Sequence, residues 1–184
     1  MKKLLLIMGD LATGKSTFAD ILSRRYHIAV FKKDTIKEIL GDTVGMGGWE
    51  KHLKITAAAE GLMQMLFSEF ARLGQDMILE SNFRQAELDN LCRTADQNGY
   101  QTLALLFGGT PEILHRRYLN RIGKENRHAV HQSVSRDTPE EFINTLEYVR
   151  AVEVPVNELY INADDFSYQT DEALLAKIDD FMGK

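Results

Sequence analysis

The stretch Gly9-Asp10-Leu11-Ala12-Thr13-Gly14-Lys15-Ser16 governs the interpretation of this sequence, because it matches G-x-x-x-x-G-K-[ST], the phosphate-binding loop. The apolar run Leu4 to Met8 precedes it and is typical of a buried parallel strand. Residues 16–26 follow it with the spacing of an amphipathic helix. Since a strand before the motif and a helix after it are the required context, the match predicts a nucleotide-binding loop rather than a chance turn.

The two glycines permit backbone angles that a side chain would forbid, so that successive N–H groups can curl around an anion at the positive end of the following helix. We expect Lys15 to reach the β- and γ-phosphates of ATP, Ser16 to offer its hydroxyl to Mg²⁺, and Thr17 to contact the α-phosphate. The predicted nucleotide-binding residues of this loop are Gly9, Asp10, Ala12, Thr13, Gly14, Lys15, Ser16 and Thr17.

Charge is distributed unevenly along the 184 residues, whose formal net charge is −5. Residues 115–136 carry six Lys and Arg against Glu125 alone, whereas residues 137–184 carry twelve acids against three bases. An acidic total disfavours non-specific nucleic-acid binding, and a basic island within it indicates a site for a compact anion. The single cysteine, Cys92, rules out an internal disulfide and gives no support to a cysteine-based metal site.

The sequence suggests one domain over residues 1–184, without repeats or low-complexity linkers. The apolar run near Met1 is too short for a signal peptide, and no stretch is long enough to span a membrane. We therefore expect a cytoplasmic protein that meets nucleotide and a small-molecule acceptor, with no membrane partner. Oligomeric state is not encoded in any pattern that we recognise.

Strands alternate with helices throughout, which predicts a five-stranded parallel sheet covered on both faces, a three-layer α/β/α fold. A helix is expected to begin near Thr35, which has Glu38 three residues later as in a capping box. Gly41 to Gly48 is expected to form a loop, either near the substrate or a plain connector. The helix from Trp49 to Leu73 is expected to end at a glycine cap, Gly74, and to bury a stripe formed by Leu53, Leu62, Met63, Leu66, Phe67 and Phe70.

Acidic side chains follow two of the predicted strands. Asp34 comes after the second strand, and Glu80 ends the third, where a carboxylate is suited to orienting Mg²⁺. Because ligands bind at the carboxyl ends of parallel strands, both should face the nucleotide, and Arg84 on the same rim is a candidate substrate contact.

With these residues the sequence resembles the P-loop kinases of the nucleoside-monophosphate-kinase superfamily, most of all the branch of zeta toxins, chloramphenicol phosphotransferase and phage-type polynucleotide 5′-hydroxyl kinase. The resemblance implies the sheet order 2-3-1-4-5 and an arginine-bearing lid over residues 121–136. It also implies that Asp34 takes the proton of the acceptor hydroxyl, that Arg117 and Arg121 contact the nucleotide, and that Arg121 and Arg127 close over the reaction.

Several alternatives stay open at the level of sequence. Asp34 could merely cap the following helix, and the lid arginines could form a solvated basic face. His128 and His131 could bind zinc, although a contact with nucleotide or substrate fits them better. The expected function is transfer of the γ-phosphoryl group of ATP to a hydroxyl of a small molecule. The rivals are a polynucleotide 5′-hydroxyl kinase, for which the chain lacks a broadly basic character, and a nucleotide-binding regulatory or toxin-like module.

Overall fold

Strands and helices alternate along the chain in a computed structural model that describes residues 1–45, 47–124, 128–131 and 135–184. The strands are β1 (Lys2–Gly9), β2 (Ala29–Lys32), β3 (Met77–Glu80), β4 (Tyr100–Gly108) and β5 (Asn157–Asn162). The α-helices are α1 (Lys15–Tyr26), α2 (Lys33–Val44), α3 (Gly48–Leu73), α4 (Gln85–Gln97), α5 (Pro111–Lys124), α6 (Pro139–Arg150) and α7 (Glu172–Met182). Short 3-10 helices span Ala129–His131 and Ser167–Thr170.

The five strands pair in parallel in the order β2-β3-β1-β4-β5, which confirms the predicted sheet and its order. β1 is central, with Ile7 opposite Glu80 of β3 on one side and Leu105 of β4 on the other. Because all strands point the same way, the residues that follow them meet at one edge of the sheet. The phosphate loop, Asp34 and Ser81 therefore follow neighbouring strands at that edge.

Alternate residues of β1 enter two different cores, as expected for a strand covered on both faces. Leu5 and Ile7 pack with residues of α1 and α7, whereas Leu4 and Leu6 pack with residues of α3 and α4. These are the two helical layers of the fold. A third, smaller cluster joins α5 to α6 and has Leu11 of the phosphate loop packed against it. The loop is thus contacted by α5 and α6 as well as by the strand that precedes it.

The region around α2 differs from the sequence-based expectation. α2 begins at Lys33, directly after β2, and its first turn has no side-chain cap, so the predicted Thr35–Glu38 capping box is wrong. The helix continues to Val44, and Gly41 is buried within it rather than in a loop. Packing of α2 against α3 compensates for the low helix propensity of glycine, which local sequence reasoning does not take into account.

α3 buries a narrower face than predicted. Leu53 and Leu62 are exposed, although Met63 and Phe67 are buried as expected. The buried residues of α3 recur every four positions: Ile55, Ala59, Met63, Phe67 and Ala71. The helix ends at Gly74, whose φ of 71° forms the predicted C-terminal cap. Among the described residues, no helix combines the length and apolar character needed to cross a bilayer.

The approach of β1 to β4 predicts a severe effect of Gly9→Ala. A Cβ at Gly9 would lie 2.1 Å from the carbonyl oxygen of Phe107, and φ is +114°, which L side chains rarely adopt. We expect the free energy of unfolding to fall by about 3 kcal/mol, measured by chemical denaturation. Gly183→Ala is the matched control, because Gly183 has φ of +73° but nothing within 4 Å of the added Cβ, and should cost only about 1 kcal/mol. Equal losses in both variants would contradict the proposed clash.

Candidate active site

The phosphate loop has the curled backbone that anion binding requires. Gly9, Ala12 and Gly14 have positive φ angles of 114°, 59° and 84°, and α1 begins immediately afterwards at Lys15. Positive φ is unusual for alanine and costs free energy that the surrounding structure must supply, as is common at binding sites. The curled backbone therefore places the N–H groups of the loop beside those at the positive, N-terminal end of α1.

Asp10 fixes the loop to the rest of the protein through its buried carboxylate, which is 1% exposed. Nε of Arg150 donates to its Oδ1 at 3.0 Å, and the N–H of Gly109 donates to its Oδ2 at 3.1 Å. The backbone N–H of Asp10 donates to the carbonyl of Phe107 at 2.7 Å. The predicted binding residue Asp10 thus supports the loop with its side chain, which is directed to Arg150 and Gly109.

The 3-10 helix Ser167–Thr170 contacts the loop from another side. The hydroxyl of Tyr168 donates to the carbonyl of Thr13 at 2.7 Å, and burial raises the pKa of Tyr168, which keeps this hydroxyl a donor. A Cβ at Gly14 would lie 2.6 Å from the same hydroxyl oxygen. Gly14 is therefore needed for close contact as well as for its backbone angle, and Thr13 adds a bond from its own hydroxyl to the carbonyl of Asp10 at 2.9 Å.

Lys15 folds back over the loop and is only 8% exposed. Its ammonium donates to the carbonyl of Gly9 at 2.9 Å and to the carbonyl of Asp10. The positive charge of Lys15 is thus placed at the centre of the curled backbone, where phosphate oxygens of a nucleotide would also find N–H donors.

The charges of three other predicted site residues act on the ammonium of Lys15. Burial lowers the pKa of Lys15, and the carboxylates of Glu80 and Asp34 act in the opposite direction. The guanidinium of Arg121 lowers the pKa of Lys15 further. Residues from α1, α2, β3 and α5 therefore lie within electrostatic range of a single point at the carboxyl edge of the sheet.

Ser16 and Glu80 form a hydrogen-bonded pair, in which the hydroxyl of Ser16 lies 3.2 Å from Oε2 of Glu80. Burial raises the pKa of Glu80, while Lys15 and the bond from Ser16 act to lower it. A buried carboxylate beside a hydroxyl at a helix N-terminus supplies the hard oxygen groups that Mg²⁺ prefers, so these residues fit that ion. Thr17 is exposed beside Ser16 in the first turn of α1.

Asp34 lies inside the first turn of α2 with a side chain that is 63% exposed. Because α2 starts one residue earlier at Lys33 and shows no side-chain cap, the geometry gives no support to a capping role for Asp34. The exposed carboxylate is close to the electrostatic centre formed by Lys15 and Glu80.

The described part of the predicted lid contacts α2. Nε2 of His131 lies 2.7 Å from Glu38, and its Nδ1 lies 3.8 Å from Asp34. Nε2 of His128 lies 2.9 Å from Asp42. Asp34, Glu38 and Asp42 follow at four-residue intervals and share one face of α2. Each histidine has a carboxylate of its own, which favours docking of this segment onto α2 over a shared zinc ion.

The lid arginines are only partly within the described residues. Arg121 is exposed in the last turn of α5. Its positive charge lowers the pKa of Lys15, as described above. Arg127 and its neighbours in 125–127, together with 132–134, lie outside the described residues. The role of Arg127 therefore stays a prediction.

Arg117 contacts the segment that follows β5, and its contact with the nucleotide stays a prediction. Its guanidinium donates to the backbone carbonyls of Ala163 and Asp164, both at 2.5 Å, and lies 4.4 Å from the centre of the Phe166 ring. Arg117 thus holds the segment that follows β5, close to Gly14 of the phosphate loop, which Phe166 also contacts.

Arg84, whose side chain is 51% exposed, contacts a group of buried charges that the sequence did not reveal. Its guanidinium pairs with Glu60 of α3, and Lys33 lies between Glu87, 2.8 Å away, and Glu60, 3.6 Å away. Lys33 is 7% exposed. Sequence reasoning missed Lys33, Glu60 and Glu87; the available signal was Glu60, a charge placed directly after Ala59 on the buried stripe of α3.

Comparisons with known proteins agree with this architecture. The model of a family described as AAA domain matches residues 4–166 of the chain. None of the curated proteins matches the sequence.

Solved structures of several kinases share the fold. A protein from Chloroflexus aurantiacus with a provisional kinase assignment has a TM-score of 0.81 and 23% identity, with 98% of each chain covered. A gluconokinase from Sinorhizobium meliloti has a TM-score of 0.62 and 14% identity, covering 98% of this chain and 95% of its own. The APS kinase of Mycobacterium tuberculosis, solved with AMPPNP and APS, has a TM-score of 0.60 and 13% identity, covering 100% of this chain and 98% of its own.

The buried carboxylate of Asp10 predicts that Arg150→Met destabilises the protein. The side chain of Asp10 is 1% exposed. Without the Arg150 guanidinium, its carboxylate would keep a single one of the donors described above, the backbone N–H of Gly109. Because the Arg150 side chain is 46% exposed, we expect a loss of about 2 kcal/mol, below the range for fully buried pairs. Arg72→Met, which removes an exposed pair with Glu69, should leave the free energy of unfolding nearly unchanged. Equal stabilities of the two variants in chemical denaturation would refute the anchoring role of Arg150.

The raised pKa of Glu80 predicts that Glu80→Gln stabilises the protein at alkaline pH. The folded chain holds the Glu80 proton to higher pH than the unfolded chain, so ionised Glu80 costs stability above its folded pKa. The gain in melting temperature should be absent at about pH 4.3, the ordinary pKa of Glu, and should grow as the pH rises above it. A melting temperature at pH 8 below that of the unaltered protein would show that attraction to Lys15 outweighs the cost of burial.

Proposed function

This chain belongs to the AAA-domain family, and from that premise we propose that it is an ATP-dependent kinase that phosphorylates a hydroxyl of a small molecule. The observation that carries the proposal is the convergence of Lys15, the Ser16–Glu80 pair and the exposed Asp34 at one edge of the sheet. Support also comes from the fold shared with a gluconokinase and an APS kinase.

In this proposal the phosphate loop binds ATP through its N–H groups, and Lys15 moves from the loop carbonyls to the β- and γ-phosphates. Thr17, exposed in the first turn of α1, contacts the α-phosphate. Ser16 and Glu80 hold Mg²⁺, which neutralises charge on the β- and γ-phosphates when bound. The buried position of Lys15 strengthens its interaction with the nucleotide, because water does not screen it.

Asp34 acts in the proposal as the base. Its carboxylate accepts the proton of the acceptor hydroxyl while the hydroxyl oxygen forms a bond to the γ-phosphorus. The bond from that phosphorus to the bridging oxygen breaks, so that ADP leaves and Asp34 carries the proton. An exposed carboxylate near Lys15 suits this role, because it is open to an incoming acceptor and faces the same centre as the phosphates.

Residues 121–136 form a lid in the proposal. Arg121, whose charge already reaches Lys15, and Arg127 pair with the transferring phosphoryl group and stabilise the charge that spreads over it. His128 and His131, paired with Asp42 and Glu38, position this segment above α2. Closure there would exclude water and limit hydrolysis of ATP.

The proposed acceptor is a small molecule rather than a polynucleotide. The acceptor would approach Asp34 beside Arg84, which is already paired with Glu60 and is not one of a run of exposed phosphate-binding cations. A net charge of −5 also gives no general attraction to nucleic acid. The base-like placement of Asp34 favours an enzyme over a regulatory nucleotide-binding module.

Asp34→Asn is the direct test of the proposed chemistry. Because Asp34 is 63% exposed, the change should leave the melting temperature and the affinity for AMPPNP close to those of the unaltered protein. Acceptor-dependent transfer from radiolabelled ATP, surveyed over a panel of hydroxyl compounds, should fall by a factor of about 10² to 10⁴. Asp89→Asn, the same change on the exposed side of α4, should transfer phosphate at the original rate. Full activity in the Asp34→Asn protein would remove Asp34 from the mechanism.

A further inference from the structure

A group of charged and polar side chains, largely buried except for Arg84, lies beside the proposed base and belongs to none of the nucleotide contacts. It consists of Lys33 on α2, Thr56 and Glu60 on α3, and Arg84 and Glu87 at the start of α4, here called the acceptor-side cluster. Lys33 lies 2.8 Å from Glu87 and 3.6 Å from Glu60, and Arg84 pairs with Glu60. Thr56 precedes Glu60 by one helical turn and therefore shares its face of α3. Lys33 is the residue next to Asp34, so the cluster adjoins the reaction centre.

Three buried oxygens of the acceptor-side cluster have no hydrogen-bond donor within the described part of the chain. They are Oε1 of Glu87, Oγ1 of Thr56 and Oε1 of Glu60, which lies 3.6 Å from the Lys33 ammonium, within ion-pair range but beyond hydrogen-bond length. The side chains of Glu60 and Glu87 are only 16% and 10% exposed, and the second oxygen of each carboxylate is engaged by Arg84 or Lys33. Buried polar atoms are nearly always hydrogen-bonded, so several unsatisfied acceptors in one place indicate groups that a ligand completes.

The same edge of the sheet adds two more atoms of this kind. Oγ of Ser81 and Oδ1 of Asn82 are buried without a hydrogen-bond partner among the described residues, and Ser81 is 4% exposed. The backbone carbonyl of Asn82 lies 3.4 Å from the ammonium of Lys33, which places this segment at the cluster. Most of these five atoms are acceptors in the observed arrangement, and a complementary ligand must therefore bring donors.

The charges of the acceptor-side cluster are balanced within it. The cations Lys33 and Arg84 face the carboxylates of Glu60 and Glu87, and both cations are already paired. On the next turn of α2, burial lowers the pKa of Lys37; Asp34 and Glu60 oppose that effect, whereas Lys33 and Arg136 add to it. An acidic ligand would approach two largely buried carboxylates and would have to compete with them for Lys33 and Arg84, which is costly at low exposure. Hydroxyl or ammonium groups would instead satisfy the unpaired oxygens.

We propose that the phosphoryl acceptor is a polyhydroxylated molecule without an acidic group, such as a sugar, an amino sugar or a cyclitol. This inference rests on the proposed kinase function and narrows its substrate class. One hydroxyl of the molecule faces Asp34, and the others, with any ammonium group, donate to the unpaired oxygens of the cluster.

The first experiment compares three sets of hydroxyl compounds matched in skeleton: neutral sugars and polyols, their amino counterparts, and their carboxylate counterparts, for example glucose, glucosamine and glucuronate. Transfer from radiolabelled ATP and release of ADP are measured for each. The best acceptor should be neutral or amino-bearing, with kcat/KM at least about tenfold above that of its carboxylate counterpart. A carboxylate as best acceptor overturns the inference and leaves the kinase function standing. If no compound of any set is phosphorylated while AMPPNP still binds, the kinase proposal fails and the inference with it.

The second experiment uses Thr56→Val with the best acceptor found. A ligand bond to Oγ1 predicts that acceptor KM rises about three- to tenfold while KM for ATP is unchanged. Removing a buried hydroxyl that has no partner should not lower the melting temperature, so loss of folding does not obscure the result. Thr102→Val, near the start of β4 at the opposite end of the sheet, is the control and should leave both KM values unchanged. An unaltered acceptor KM in the Thr56→Val protein would remove Thr56 from the acceptor site.

Discussion

The close contact between Gly9 and β4 is the constraint on which the rest of the site depends. No side chain fits between Gly9 and Phe107, and the N–H of the next residue donates to the same Phe107 carbonyl at 2.7 Å. The phosphate loop therefore starts from a fixed point, and its later turns can take up positive φ angles at Ala12 and Gly14. Arg150 and Tyr168 then hold the loop from α6 and from the segment after β5. A loop restrained on three sides can keep its N–H groups oriented without a ligand to order them.

The charges at this edge are placed at a cost in stability. Lys15 and Glu80 are both buried, and burial is the largest cause of the shift in each pKa. Buried charges that only partly compensate one another are typical of sites that bind a third charged group. A nucleotide with its metal ion brings both signs of charge, so the same residues that weaken the empty fold would strengthen binding.

The two halves of the proposed reaction meet at α2. One face of this helix carries Asp34, Glu38 and Asp42, of which the latter two hold the histidines of the predicted lid. Its first residue, Lys33, enters the acceptor-side cluster instead. The residues that the proposal assigns to the acceptor and to the lid are therefore carried by one helix.

Local pattern was sufficient for the fold class and for the position of the loop that carries Lys15 between β1 and α1. Each of these features is defined by the residue spacing within one short stretch of sequence. They are the motif around Lys15, the apolar runs of the strands and the acid at the end of β3. The resemblance supplied the strand order, which is decided by pairing between segments distant in the sequence and is not contained in any local pattern. The start of α2, the exposed face of α3 and the group formed by Lys33, Glu60 and Glu87 required the tertiary structure. Burial and charge pairing depend on which distant helix covers a residue, and periodicity along one segment carries no information about that partner.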